Sequence, residues 1–423
     1  MNPKRSKNGV RVMALLAILL LSACVTGPVS ESGTPISEET LQKARQSVQD
    51  QKIPSELQGF YVALYSQWEQ NYVLHAMRGG LAAMRLGYFD LAERTFDEAI
   101  QRVESLQEGA AQAERAKSKF VPEQEKWFKG ENYERSALYF YRGLLYLRRQ
   151  DFGNAAACFK RAELQDIVGD DAPRAAGDWV SAELGLAVAS YRNGFPQDAE
   201  EALKRAEASP GKQGTVPLPP PDANVLVVIE TGRGPIKYRA GQYGEKLMFQ
   251  EEVPTDRSVA LVSNGRTILQ SAPAENLYFQ ATTRGTRQVD YILDGKAAFK
   301  EGTAAATAGL ATGAIAASHA DRSGVSSGIL GLLALGTAIA SSATHPEADI
   351  RSWYNLPHSI YLLAYKAKPG ETSLEVQALD ATGQPVHRLT LTLDPAKLAD
   401  GSLQVFWVNF ETQPASNSNP HLP

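Results

Sequence analysis

The chain has 423 residues, 43% hydrophobic and 21% charged, the proportions of a globular protein and not of a disordered one. Its formal net charge is −4, and Lys4, Arg5, Lys7 and Arg11 all lie at the extreme N-terminus. The remainder of the chain is more acidic still, which argues against nucleic acid as a partner.

The length suits two or three domains. An apolar run over 12–21 follows the basic stretch and ends in Leu21-Ser22-Ala23-Cys24. A charged head, a short apolar middle and small residues mark a secretory signal peptide over 1–23, and the run is too short to span a bilayer. Cysteine directly after the small residues resembles the bacterial lipobox, which implies lipidation at Cys24 after loss of the leader. By the same resemblance Val25, which is not an acidic retention signal, favours the outer membrane, with the protein facing the periplasm. With Cys24 acylated, Cys158 has no disulfide partner; among Ala155, Ala156, Ala157 and Phe159 it reads as a packed thiol. Residues 24–36, rich in Ser, Gly and Pro, read as a flexible tether.

A helical domain is expected over 37–209. Ser37 is an N-cap with Glu38 and Glu39 in the first turn, and Ser55 with Gln58 forms a capping box. Gly80, Gly87, Phe89, Ala92, Phe96 and Ala99 stand at the offsets of a tetratricopeptide repeat. The set recurs as Tyr139, Gly143, Tyr146, Phe152, Ala155, Phe159 and Ala162, and again, degraded, as Leu186, Gly194, Ala199, Leu203 and Ala206. Small residues let two helices approach while aromatics fill the gaps. Ala92, Ala155 and Ala199 are spaced by 63 and 44 residues, against a unit of about 34, so the array is an irregular α-solenoid. Arg85, Arg148 and Arg192 fall at one offset of these units, with Tyr191 beside the last. Lining a concave groove, they would suit an acidic peptide or a chain-end carboxylate; at helix C-termini they equally complement the macrodipole.

Pro210-Gly211 and the prolines 217, 219, 220 and 221 make 210–222 a linker. An antiparallel β domain, a sheet or small sandwich, is expected over 223–412, with strands at 225–229, 246–250, 258–263, 266–270, 276–281, 360–365, 374–378, 389–393 and 403–410. Asp380-Ala381-Thr382-Gly383 is the turn of an antiparallel hairpin. The domain is interrupted at 287–343 by a helical hairpin whose first arm, 303–318, is nearly all Ala, Gly and Thr and whose second, 325–343, is again small and apolar. Gly309 and Gly313, four apart, form a glycine-zipper stripe that would let helices touch in lipid or in a soluble hairpin. Residues 413–423 read as a disordered tail. The fold class is α+β.

Other patterns are weaker. Gly324-Val325-Ser326-Ser327-Gly328 matches a serine-hydrolase motif but lacks the preceding buried strand; a helix cap explains it better. Gly232-Arg233-Gly234-Pro235-Ile236-Lys237 follows a strand like a phosphate loop, but lacks the third glycine and the helix. It reads as a turn with exposed basic residues, Arg233 and Lys237 being candidates to meet a partner. His345, Glu347, Asp349 and His358 are metal-ligand types without metal-site spacing. No catalytic residue, metal or cofactor is assigned. Glu275-Asn276-Leu277-Tyr278-Phe279-Gln280 before Ala281 spells the recognition sequence of a plant viral protease used to remove tags.

The lipobox at Cys24, Lys129-Gly130-Glu131 leading into Tyr133-Glu134-Arg135, the second repeat, Gly232 to Lys237, and Arg351-Ser352-Trp353 with Leu356-Pro357 and Ile360 together resemble a family of bacterial tetratricopeptide-repeat outer-membrane lipoproteins. The resemblance implies an envelope lipoprotein with a helical-repeat half and a β half. The expected function is a non-enzymatic, lipid-anchored scaffold or adaptor that binds envelope proteins, with homo-oligomers possible. The alternative is a membrane-active or oligomer-forming protein working through 303–343.

Overall fold

A computed structural model describes residues 30–31, 33, 35–109, 126–167, 179–283 and 347–410. The leader with Cys24, the helical hairpin of 287–343 with its serine motif, His345 and the tail lie outside the described residues.

Eight helices pack in pairs. They are α1 (Glu38–Asp50) with α2 (Gln58–Ser66), α3 (Trp68–Arg85) with α4 (Phe89–Gly109), α5 (Asn132–Arg148) with α6 (Phe152–Ile167), and α7 (Val180–Arg192) with α8 (Pro196–Ala208). The pairs close because glycines leave room for rings. A Cβ on Gly80 would lie 2.5 Å from the Phe96 ring, and one on Gly143 or Gly185 would lie 2.8 or 2.6 Å from Phe159.

The last three pairs turn in the same way. The amides of Tyr88, Asp151 and Phe195 donate to the carbonyls of Ala83, Tyr146 and Ser190. Gly87, Gln150 and Gly194 take φ of +81°, +63° and +79° between them. This left-handed residue completes a Schellman cap. Ser37 caps α1 as expected, its Oγ accepting from the Thr40 amide at 3.1 Å. The capping box at Ser55 does not form. Leu57 is fully buried and the chain there tightens into a 3₁₀ turn, Ser55–Leu57, so α2 begins only at Gln58.

Among the described residues the β half holds ten strands in three sheets. The first has the order β10-β1-β7-β6, where β1 is Val225–Thr231, β6 Glu275–Asn276, β7 Ser359–Tyr365 and β10 Gln404–Asn409. It is mixed, not antiparallel: β1 runs antiparallel to β7 but parallel to β10, in register Val225↔Gln404 to Glu230↔Asn409. The chain reaches β10 from the other sheet through a short helix, α10 (Pro395–Asp400), and that crossover sets the parallel direction. The second four-stranded sheet, β5-β4-β8-β9, is antiparallel, with β4 Ser258–Ser263, β5 Arg266–Ser271, β8 Ser373–Leu379 and β9 Pro385–Thr392. The turn at Asp380–Gly383 joins β8 to β9 as expected, with Gly383 at φ +80°. A separate hairpin pairs β2 (Ile236–Ala240) with β3 (Lys246–Gln250).

Residues 276–281 are not a strand. Only Glu275–Asn276 pair with β7, and Leu277–Thr283 form a helix, α9. The Asn276 side chain accepts the Phe279 amide at 2.9 Å and starts that helix, as short polar side chains do at N-caps.

The alternation along β1 assigns the layers. Leu226 and Val228 join the core shared with the helices, together with Ile360, Leu362, Trp353 and Leu403. Val225, Val227 and Ile229 face the second sheet and meet Val259, Leu261, Leu374 and Val376. The order is therefore helices, mixed sheet, antiparallel sheet, with β1 buried on both faces. One core spans the helical and β halves. The proline-rich stretch of 210–222 ends the helices without freeing the chain: Val216 is buried, the Ala272 amide donates to the Thr215 carbonyl, and Asn276 reaches Gln213.

Described residues of the stretch expected to be a flexible tether are packed on the helices. Ser30 and Ile36 are buried, the Glu31 amide donates to Gln67 Oε1 at 2.9 Å, and the Glu31 carboxylate pairs with Arg78. Among the described residues no helix is long and apolar enough to cross a membrane.

Candidate functional site at the seam between helices and sheet

The mixed sheet lies on the face of the helical array where the arginines of the repeat units were expected to line an open groove. Glu230 continues the helix-facing register of Leu226 and Val228, and its side chain is fully buried. Arg85 Nε donates to its Oε2 at 2.7 Å, Tyr141 Oη to Oε1 at 2.7 Å, and Asn409 Nδ2 and Trp407 Nε1 to Oε2 at 2.8 and 3.3 Å. Burial, reinforced by the Glu230 charge, pushes the Tyr141 hydroxyl well above its ordinary range, so it stays a donor. Four donors on one buried carboxylate hold it in place; this is a clamp between layers.

Two further ties lie along the same face. Arg192 Nη2 donates to the Gly401 carbonyl at 2.7 Å. At the left-handed position of the α5–α6 turn, Gln150 gives and takes with the backbone of Leu403, at 2.8 and 3.0 Å. Its amide pairs as a strand neighbour would, and that exchange fixes a non-glycine residue in a strained backbone region. Arg148 instead stacks on the Phe89 ring at 3.8 Å, and Tyr191 packs half-buried at the edge of the shared core. The groove expectation is thus corrected: the sheet fills the face, and Arg85 and Arg192 are engaged within the chain.

The second node overturns another expectation. Lys237, read as exposed, is buried on β2, where Nζ lies 2.8 Å from Glu134 Oε2 and donates to the Arg351 carbonyl at 2.9 Å. The side chains of Lys237 and Glu134 are 1% and 0% exposed. Glu134 also accepts the amides of Glu131 and Trp353, each at 2.8 Å. Arg351 in turn pairs with Asp349 at 2.7 Å, donates to Asn71 Oδ1 at 2.7 Å and reaches the Lys126 carbonyl at 2.9 Å. Next to it, Arg78 makes two bonds to the Ser352 carbonyl, at 2.6 and 3.0 Å.

The turn before β2 is shaped to the same node. Gly232 sits at φ +66°, and a Cβ there would lie 2.7 Å from His358; one on Gly234 would lie 3.0 Å from the Leu356 carbonyl. The three stretches 129–135, 232–237 and 351–360, far apart in sequence, therefore meet at one place. Arg233 alone in the turn is exposed, with Glu252 3.9 Å away.

The remaining sequence candidates are dispersed. His358 is buried, Nε2 at 2.9 Å from Glu251 and Nδ1 at 2.8 Å from Ser359 Oγ, while Asp349 is committed to Arg351. No group of three potential metal ligands occurs among the described residues. Burial pushes the Cys158 thiol up to about 12, which leaves it unreactive. An open cleft of about 260 Å³ lies on the helical half, lined by Ala156, Ala157, Lys160, Asn193, Phe195 and Asp198. Phe195 at its rim is 56% exposed.

Sequence reasoning missed Glu230, Glu134 and Tyr141. A carboxylate closing the apolar run Val225–Ile229 was the available signal for the first: a charge in a strand buried on both faces needs a partner. No family model, curated protein or solved structure matches this chain.

Proposed function

We propose that the protein is a non-catalytic envelope lipoprotein, acylated at Cys24 and facing the periplasm from the outer membrane. It acts as a scaffold that binds envelope proteins through the outer surface of an irregular tetratricopeptide-like array. The observation that supports this reading best is the Glu230 clamp. The buried charges of the seam serve to bind helices to sheet, and the inner face of the array is occupied by the chain's own β half. A partner then has the outer surface, where Phe195 and the cleft between α6 and the α7–α8 turn offer an exposed ring beside Lys160 and Asp198. Tests should place a photo-crosslinking residue at Phe195 and, as a control, at Arg85. Discrete envelope-protein adducts at 195 and none at 85 are expected. Adducts at 85 with none at 195 would contradict the reading.

The alternative reading, membrane activity through 303–343, has one feature in its favour. The chain re-enters the described fold at Glu347, four residues before Arg351 and on the side where Glu31, close after Cys24, is docked. Deleting 303–343 from a Cys24→Ser chain and measuring vesicle binding separates the two; equal binding by both forms removes the alternative.

A further inference from the structure

Trp127, Ile350 and Tyr354 are large apolar side chains exposed at 45%, 38% and 51%. Each stands beside a deeply buried neighbour: Phe128, Arg351 and Trp353 are 4%, 4% and 2% exposed. The three outward residues are therefore held rigidly. They surround one strip of α3. The Phe128 amide donates to the Gln70 carbonyl, Arg351 reaches Asn71, and Arg78 bonds Ser352 while its guanidinium lies 4.4 Å from the centre of the Tyr354 ring. Asn71 and Arg78 are two turns apart on the helix, about 10 Å, so the segments that carry the three side chains are fastened along one strip.

The same strip receives the start of the folded chain. Arg78 pairs with Glu31, and Gln67 takes the Glu31 amide. Glu31 stands only seven positions after Cys24. Fully extended, that stretch reaches roughly 25 Å, little more than the radius of gyration of about 20 Å for a body of this size. A leash that short cannot let the body turn its far side to the surface that holds the acyl chains. Two carboxylates beside these residues, Glu31 and Asp349, are paired with Arg78 and Arg351. Trp and Tyr are the side chains that settle at a lipid–water interface, ring in the apolar layer and polar tip in the headgroups.

From the docking of Glu31, the short stretch of chain between it and Cys24, and this rim, we infer that Trp127, Ile350 and Tyr354 lie against the lipid surface in the acylated protein and fix its orientation on the membrane. This rests on acylation at Cys24. The contact adds apolar burial to the acyl chains and holds the helical cleft and the antiparallel sheet away from the bilayer.

The test uses the full chain, acylated and reconstituted in vesicles of phosphatidylethanolamine and phosphatidylglycerol. Nitroxide labels are placed at Trp127→Cys or Tyr354→Cys, with Phe195→Cys and Leu389→Cys as distant exposed sites; the parent chain sets the background. Collision rates with lipid-soluble oxygen and with a water-soluble nickel chelate are compared. The ratio is expected to be several-fold higher at 127 and 354 than at 195 and 389. Equal ratios at all four sites on a chain that floats with the vesicles would overturn the orientation and leave the anchor standing. A chain that floats no better than its Cys24→Ser variant would overturn the anchor, and the orientation with it.

Discussion

Lys237 shows what a sequence pattern conceals. In Ile236-Lys237-Tyr238-Arg239 the alternation reads as apolar inward and basic outward. The structure has the reverse, with Ile236 and Tyr238 exposed and Lys237 on Glu134. The deciding partner lies 103 residues away, beyond the reach of any local pattern. A buried pair stripped of one member leaves an uncompensated charge, which costs about 3–5 kcal/mol, whereas replacing both by apolar residues is often neutral. Lys237→Met should therefore destabilise the protein by that amount, and Lys237→Met with Glu134→Leu should recover most of it. Urea unfolding of the two variants measures the difference.

His75 supplies a pH dependence. Burial, with the Arg78 and Arg351 charges behind it, holds its pKa well below the ordinary 6.5. In the unfolded chain it gains a proton below about 6.5, and in the folded protein it does not. The unfolded state then binds more protons, and stability falls as pH falls. The slope is about 1.4 kcal/mol per pH unit. As pH falls below 6.5 the native chain should lose more stability than a His75→Leu variant. Matching slopes for the two would contradict the assignment.

Among the elements, the helices were the most legible, because their determinants are local: small residues opposite rings and a left-handed residue at each turn. Gly143 carries such a determinant, and Gly143→Ala would press a methyl into Phe159 at 2.8 Å. Overpacking of this kind costs about 1–3 kcal/mol. The strands of the antiparallel sheet were also legible from alternation. The parallel pairing of β10 with β1 was not, since it depends on which sheet the chain crosses to after α10.

The protease sequence at 275–281 failed as a strand for a local reason. Leu277, Tyr278 and Phe279 favour strands, but Asn276 caps a helix over them. Glu275, Leu277 and Gln280 are each at most 1% exposed, and a protease needs an extended, accessible substrate. The folded protein should resist cleavage there, and cleavage should appear in denaturant together with loss of structure. Rapid cleavage of the folded chain, followed by gel electrophoresis, would show that α9 opens independently.

For the whole molecule, the expectation of two domains on a linker gives way to three layers with a shared core. Composition and the proline run 217–221 marked where the period changes from 3.6 to 2, and that boundary stands. Neither could show that Leu226 and Val228 would pack on the helices, or that Arg85 would close on Glu230. Arg85 and Glu230 are 145 positions apart, and contacts of this kind depend on the surfaces the two halves present once folded. The helical array thus has its inner face already taken, and under the scaffold role proposed above a partner would be left with the outer surface.

Calorimetry of the Cys24→Ser chain tests that account most directly. If helices and sheet are one cooperative body, heating should give a single transition in which calorimetric and van't Hoff enthalpies agree. Two separate transitions, one carrying the helical signal and one the β signal, would contradict it.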